Sequence, residues 1–122
     1  MFFPSEQNIP WLEKAMDMSY RRHTVLASNI ANADTPEYRP RDVEFRDYLE
    51  AELDLPDYVG PNPGTPRAEI RYGVEPGLDG NYVDVEQETV RMTSNRLFYE
   101  LTTELISRSL SGLTYAIDEG GR

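Results

Sequence analysis

Residues 84–117 read DVEQETVRMTSNRLFYELTTELISRSLSGLTYAI, and their pattern decides the fold. Asp84, followed three positions later by Gln87, resembles a capping box, and Glu86 and Glu88 suit the positive end of a helix dipole. Alternating steps of four and three run through Val85, Thr89, Met92, Arg96, Tyr99, Thr103, Ile106, Leu110, Leu113 and Ile117, the spacing that keeps one stripe against a partner helix. It predicts a helix roughly 50 Å long. A second apolar row passes through Val90, Leu97, Leu101 and Leu105. Two rows are wider than one partner helix covers, so the chain is expected to self-associate.

The mate of this helix lies at the other end of the sequence. Leu12, Met16, Ser19, His23, Leu26, Ile30 and Ala33 repeat the four-three spacing within a segment free of internal breakers. Pro10 fits the first turn, and Pro36 stops the helix after Asn32, a residue able to take the left-handed conformation of a helix end. Between the helices, residues 56–80 hold five Pro and five Gly, which excludes a long helix there. Only Arg67 to Tyr72 alternates like a short strand. Asp42 is placed to cap a short helix carrying Phe45, Tyr48, Leu49 and Leu53 on one side.

The expected fold is therefore mainly all-α: long N- and C-terminal helices pairing as a coiled-coil hairpin, joined by a short acidic helix and a Pro/Gly-rich extended or small β-hairpin segment. Residues 1–122 read as one unit. It divides into an N-terminal helix (9–33), a turn and short helix (34–55), an irregular segment (56–83) and a C-terminal helix (84–118).

Composition narrows the function. The chain has 122 residues and a net charge of −10, so nucleic acid is not an expected partner. Without cysteine, and with one histidine, neither a disulfide framework nor a thiolate or His-based zinc site can form. The N-terminal MFFPSE lacks the basic start and apolar run of a secretory signal, and no stretch approaches the apolar length of a membrane span. Direct membrane insertion is not expected. Seven acids between residues 42 and 58 stand against Arg46 alone, a local charge of −6 that reads as solvated surface because its spacing fits no EF-hand loop. His23, inside the apolar stripe, reads as a packed or interfacial side chain. No phosphate-binding loop, dinucleotide fingerprint or nucleophile elbow is present. No cofactor, metal or catalytic residue is expected, and the chain does not read as an enzyme.

Ser28 to Phe45 reads SNIANADTPEYRPRDVEF. The stretch resembles the ANIANADTPGYKARDVDF typical of the axial proteins of the bacterial flagellum, and within them of the proximal rod (FlgB) family. Leu78 to Asp84, LDGNYVD, is similar to the LDGNTVD that precedes the family's C-terminal helix, and SRSLSGL from Ser107 to Leu113 adds a third likeness. Glu37 stands where the family has Gly after Pro, so a type I turn is expected in place of a type II turn with positive φ. Pro40 replaces a common Ala and stiffens the same link.

The resemblance implies a structural building block of the basal-body rod, exported from the cytoplasm through the flagellar type III apparatus without signal cleavage. Its implied partners are other rod subunits, basal-body ring or export-gate components, and further copies of itself. Leu12, Met16, Leu26, Ile30, Met92, Tyr99, Ile106, Leu110 and Leu113 are expected to carry helix packing. Asn29, Asn32, Asp34, Thr35, Pro36 and Tyr38 are expected to fix the turn and contact neighbours. The competing expectation is a small acidic cytoplasmic adaptor or export chaperone, favoured by the negative charge and the missing signal.

Overall fold

The structure, a computed structural model, describes residues 9–44, 68–73 and 75–120. Helix α1 spans Ile9–Ala31, strand β1 Arg41–Asp42, strand β2 Glu69–Ile70 and helix α2 Val85–Gly120. The architecture is mainly helical, two long helices with a small two-stranded antiparallel sheet beside them. Both helix starts lie where the sequence places them.

Asp84 caps α2. Its Oδ1 accepts from the N–H groups of Glu86 (3.1 Å) and Gln87 (3.3 Å), and its carbonyl from the N–H of Glu88 (2.9 Å). Such a cap is worth about 1 kcal/mol. At 36 residues α2 is about 54 Å long, against 23 residues and about 35 Å for α1. The helices run antiparallel, because Asn29 meets Glu88 while Ser19 meets Asn95. Roughly 20 Å of α2 thus outruns the described part of α1.

The end of α1 is built differently from the expected left-handed stop at Asn32. Glu37 is the non-glycine residue with positive φ among those described. Asn32 instead turns its Nδ2 back to the Ser28 carbonyl (2.8 Å), while its N–H is shared between the carbonyls of Ser28 and Asn29. The last turn tightens without a left-handed residue because an asparagine side chain satisfies a free carbonyl there.

The expectation of a type I turn after Pro36 is also overturned. Glu37 has φ +62°, and the Tyr38 N–H donates to the Thr35 carbonyl (3.3 Å), so residues 35–38 make a turn with Pro at the second position and positive φ at the third, as in type II. A non-glycine residue there costs roughly 1–2 kcal/mol. The cost is offset by Asn81, whose Nδ2 donates to the carbonyls of Asn32 (2.9 Å) and Thr35 (2.5 Å) across the turn. Gly80, itself at φ +74°, leaves room for the Glu37 side chain: a Cβ there would lie 3.4 Å from Glu37 Cγ.

Arg41 pairs with Ile70 and Asp42 with Glu69 in the β1–β2 ladder, which the Arg71 N–H extends to the Pro40 carbonyl (2.9 Å). Strand β2 falls inside the alternating stretch 67–72. Strand β1 takes the place of the helix cap expected at Asp42; residues 45–55 of that expected helix lie outside the described residues.

Candidate functional site

Two features stand out beyond the backbone: a polar junction where all the elements meet, and an apolar row on α2 that is exposed among the described residues.

Asn29, fully buried near the end of α1, organises the junction. Its Oδ1 accepts from the Arg41 N–H (3.0 Å) and the Tyr38 hydroxyl (3.3 Å). Its Nδ2 donates to the Arg41 carbonyl (2.7 Å) and to Glu88 Oε2 (3.0 Å). All four hydrogen-bonding positions of the amide are used. The side chain thus acts as a third strand beside residue 41 while tying α1 to α2.

Charge completes the junction. Glu88, with a side chain 1% exposed, accepts from Arg71 Nη1, and Arg71 Nη2 donates to Asp42 Oδ2 (3.0 Å). Arg22 grips Asp42 with two parallel bonds, Nε to Oδ1 (2.8 Å) and Nη2 to Oδ2 (3.1 Å), while Arg91 stands 3.8 Å away. Burial pushes the Asp42 carboxyl up, but the Arg22 hydrogen bond and charge, the Val43 N–H and Arg71 outweigh it and hold the group below its ordinary value. The Arg22 guanidinium is raised, first by that hydrogen bond and against its own desolvation. Asp42 is therefore not part of a solvated acidic surface, as its local sequence suggested. It joins α1, β1, β2 and α2.

Along the helix pair, the buried positions of α2 are Glu88, Asn95, Thr102 and Ser109, seven residues apart and all polar. On α1 they are Ala15, Met18, Ser19, Leu26 and Asn29. The stripe expected to form the seam is therefore displaced. Leu26 is buried in it, and Leu12, Met16, Ile30, Met92, Ile106 and Leu113 lie half-buried at its margins, whereas Tyr99 and Leu110 are more exposed, at 38% and 50%. The physical reason is the junction: Asn29 and Glu88 must face each other, which rotates α2 and brings its seven-residue polar row inward. His23 is exposed rather than packed, at the rim of a shallow recess with Ser19, Tyr20, Asn95, Arg96 and Tyr99.

Of the residues assigned to the turn, Asn29 is buried, Asn32 and Tyr38 are half-buried, and Asp34, Thr35 and Pro36 are exposed. Thr35 Oγ1 donates to Asn32 Oδ1 (3.0 Å). Sequence reasoning missed Ser19 and Asn95 as a polar pair, Glu88 and Arg71 as an ion pair, and Asn81 as the brace of the turn. The seven-residue repeat 88, 95, 102, 109 was visible, but a search for apolar stripes passes over it.

On the opposite side of α2 an apolar row stands open. Val90, Leu97 and Leu101 are 65%, 60% and 59% exposed and share one face, since steps of seven and four bring residues to nearly the same angle. Leu110, Tyr115 and Ile117 are exposed nearer the C-terminal end. Chemically the described residues offer mutual neutralisation rather than reactivity: the buried acids are bound to arginines, and no group of three His, Cys, Asp or Glu side chains among them is placed to hold a metal ion.

No protein-family model matches the chain. Individual relatives do. The flagellar basal body rod protein FlgB of Escherichia coli (strain K12) is 30% identical over 125 residues, covering 88% of this chain and 91% of its own length. The protein of the same name from Cereibacter sphaeroides (strain ATCC 17029) is 33% identical, covering 85% and 88%, and that of Aeromonas hydrophila is 32% identical, covering 84% and 86%. At this identity and coverage the chain belongs to the FlgB family of flagellar basal body rod proteins.

Proposed function

We propose that this chain is a structural subunit of the proximal rod of the bacterial flagellar basal body, self-assembling through its terminal helices into the drive shaft. The observation that carries the reading is the exposed row Val90, Leu97 and Leu101 on the outer side of the hairpin, in a chain whose relatives are rod proteins. Apolar surface in that position is stabilised when a neighbouring subunit covers it, and a head-to-tail contact that does not close on itself generates a helical filament.

In this reading no residue performs chemistry. Leu12, Met16, Leu26, Ile30, Met92, Tyr99, Ile106, Leu110 and Leu113 contribute helix packing within or between subunits. Asn29, Asn32, Asp34, Thr35, Pro36 and Tyr38 shape the turn presented to neighbours. Partners are other rod subunits and ring or export-gate components, reached by type III export from the cytoplasm without a cleaved signal. No described helix is long and apolar enough to cross a membrane.

Deleting the gene in its source organism and imaging basal bodies by electron microscopy tests the reading. The expected result is loss of motility, with membrane rings present but no rod, restored by the wild-type gene. Intact rods in the deletion strain would overturn it.

A further inference from the structure

We infer that the outer face of the small sheet, Arg39 and Arg41 with Ile70 and Tyr72, is the seat for the C-terminal end of α2 from a second copy of the chain, which enters with Tyr115 between Asp118 and Glu119. For its place in the cell this contact rests on the rod reading above.

Unpaired cations mark the seat. Arg21, Arg22, Arg71, Arg91, Arg96 and Arg108 each stand within reach of a carboxylate. Arg39 and Arg41 are the described arginines that do not, in a chain whose net charge is −10. Strand alternation puts both on one side. Asp42 turns inward to Arg22 and Arg71, so Arg41 beside it faces out, directly across the ladder from Ile70. The same alternation carries Arg39 and Tyr72 onto this outer side. Arg39 is held over the Tyr82 ring, 4.4 Å from its centroid, and its Nη2 donates to the Tyr82 hydroxyl (3.4 Å), which orders the guanidinium without neutralising it. Ile70 and Tyr72 are 36% and 79% exposed. Ordered arginine beside exposed aromatic and aliphatic side chains suits a partner that is apolar at its centre and acidic around it.

The far end of α2 has that chemistry. From Ser109 to Gly120 the helix carries Asp118 and Glu119 and no base, and Arg122 beyond it lies outside the described residues. Acids further up the helix differ, since Glu100 is bound to Arg96 and Glu104 to Arg108. Asp118 and Glu119 lie three and four residues after Tyr115, so their carboxylates flank its ring on one face. Tyr115 stands eighteen residues, about five whole turns, beyond Leu97, in line with the exposed row Val90, Leu97 and Leu101.

One chain cannot bring these two surfaces together. Tyr115 lies about 40 Å along α2 from Glu88, which Arg71 fixes to the inner side of the same sheet. The seat of one copy is therefore filled by the helix end of the next, and the pairing repeats in one direction without closing. Charge favours that direction too. Two seats repel each other, as do two acidic ends, so the like-with-like contacts that would close a dimer are disfavoured.

Photocrosslinking of the full chain tests the contact. A chain with p-benzoylphenylalanine replacing Tyr115 is mixed at high concentration with a nitrogen-15-labelled chain and irradiated, and adducts carrying both isotopes are mapped by mass spectrometry. They are expected at residues 39–41 and 70–72. Arg39→Glu with Arg41→Glu in the labelled chain should lower their yield about tenfold or more. Adding Asp118→Arg with Glu119→Arg to the probe chain should restore it, which also shows that both reversed chains fold. Adducts at other residues, none between copies, or no restoration by the paired reversal would overturn the inference. The deletion strain judges the rod reading separately: missing rods with no adduct at the sheet would remove this contact and leave that reading standing, whereas intact rods with the adduct would do the reverse.

Discussion

The two ends of α2 solve opposite problems. At its start, Glu88 is buried among Asn29, Arg71 and, one residue further out, Asp42 and Arg22, and the polar groups there are satisfied within the chain. Toward its finish, Leu110, Tyr115 and Ile117 stand in solvent. The first end is complete as a monomer. The second is stable in water only because a helix satisfies its own backbone, and it gains from being covered. A polar, fully bonded junction fixes geometry, whereas an apolar exposed face supplies association energy without fixing geometry.

The largest effect should come from attacking the open end. Leu110→Asp is expected to abolish motility and rod incorporation, since burying one uncompensated carboxylate at a subunit contact costs several kcal/mol. The melting temperature of the isolated chain should hardly change, because the side chain is half exposed. Motility assays beside thermal denaturation check both halves; unchanged motility, or a large loss of melting temperature, would break the contrast between the ends.

Next is the closed end. Asp42→Asn leaves Arg22 and Arg71 without their shared carboxylate and is expected to lower stability by about 3 kcal/mol, read from urea denaturation. The same residue makes a pH prediction. Its folded carboxyl lies below the ordinary 3.8, so its contribution is fully present above that value and is lost as pH falls through the folded one. The wild-type chain should lose this contribution only in strong acid, and Asp42→Asn should lack that part of the acid transition. An unaltered acid transition in the variant would show that Asp42 is not the anchor of the junction.

The smallest effect concerns the turn feeding the junction. Glu37→Gly should relieve the positive φ and raise stability by about 0.5–1 kcal/mol, the relief being partly cancelled by the greater freedom of glycine in the unfolded chain. A destabilised variant would mean that the Glu37 side chain contributes more against Gly80 than its backbone loses.

These residues also show what the sequence made legible. Helix limits, the Asp84 cap and the strand at 69–70 depend on neighbours in the chain, and local pattern revealed them. The polar seam was hidden because a stripe search rewards apolar residues, and the apolar row through Met92, Ile106 and Leu113 runs beside the seam rather than along its centre. Asp42 was misread for want of Arg71, a partner 29 positions away across the Pro/Gly segment. Glu37 was misread because its conformation is held by Asn81, 44 residues on, and no local rule for turns includes that brace.

Thr89, Thr93, Thr102, Thr103, Ser109 and Thr114 each donate their hydroxyl to the carbonyl four residues earlier. A hydroxyl occupied in this way asks nothing of its surroundings, so the helix meets water and a dry neighbouring surface with nearly equal ease. The six hydroxyls are in this sense chemically quiet. The helix can pass from solution into a crowded lattice without first finding a partner for every polar group it carries.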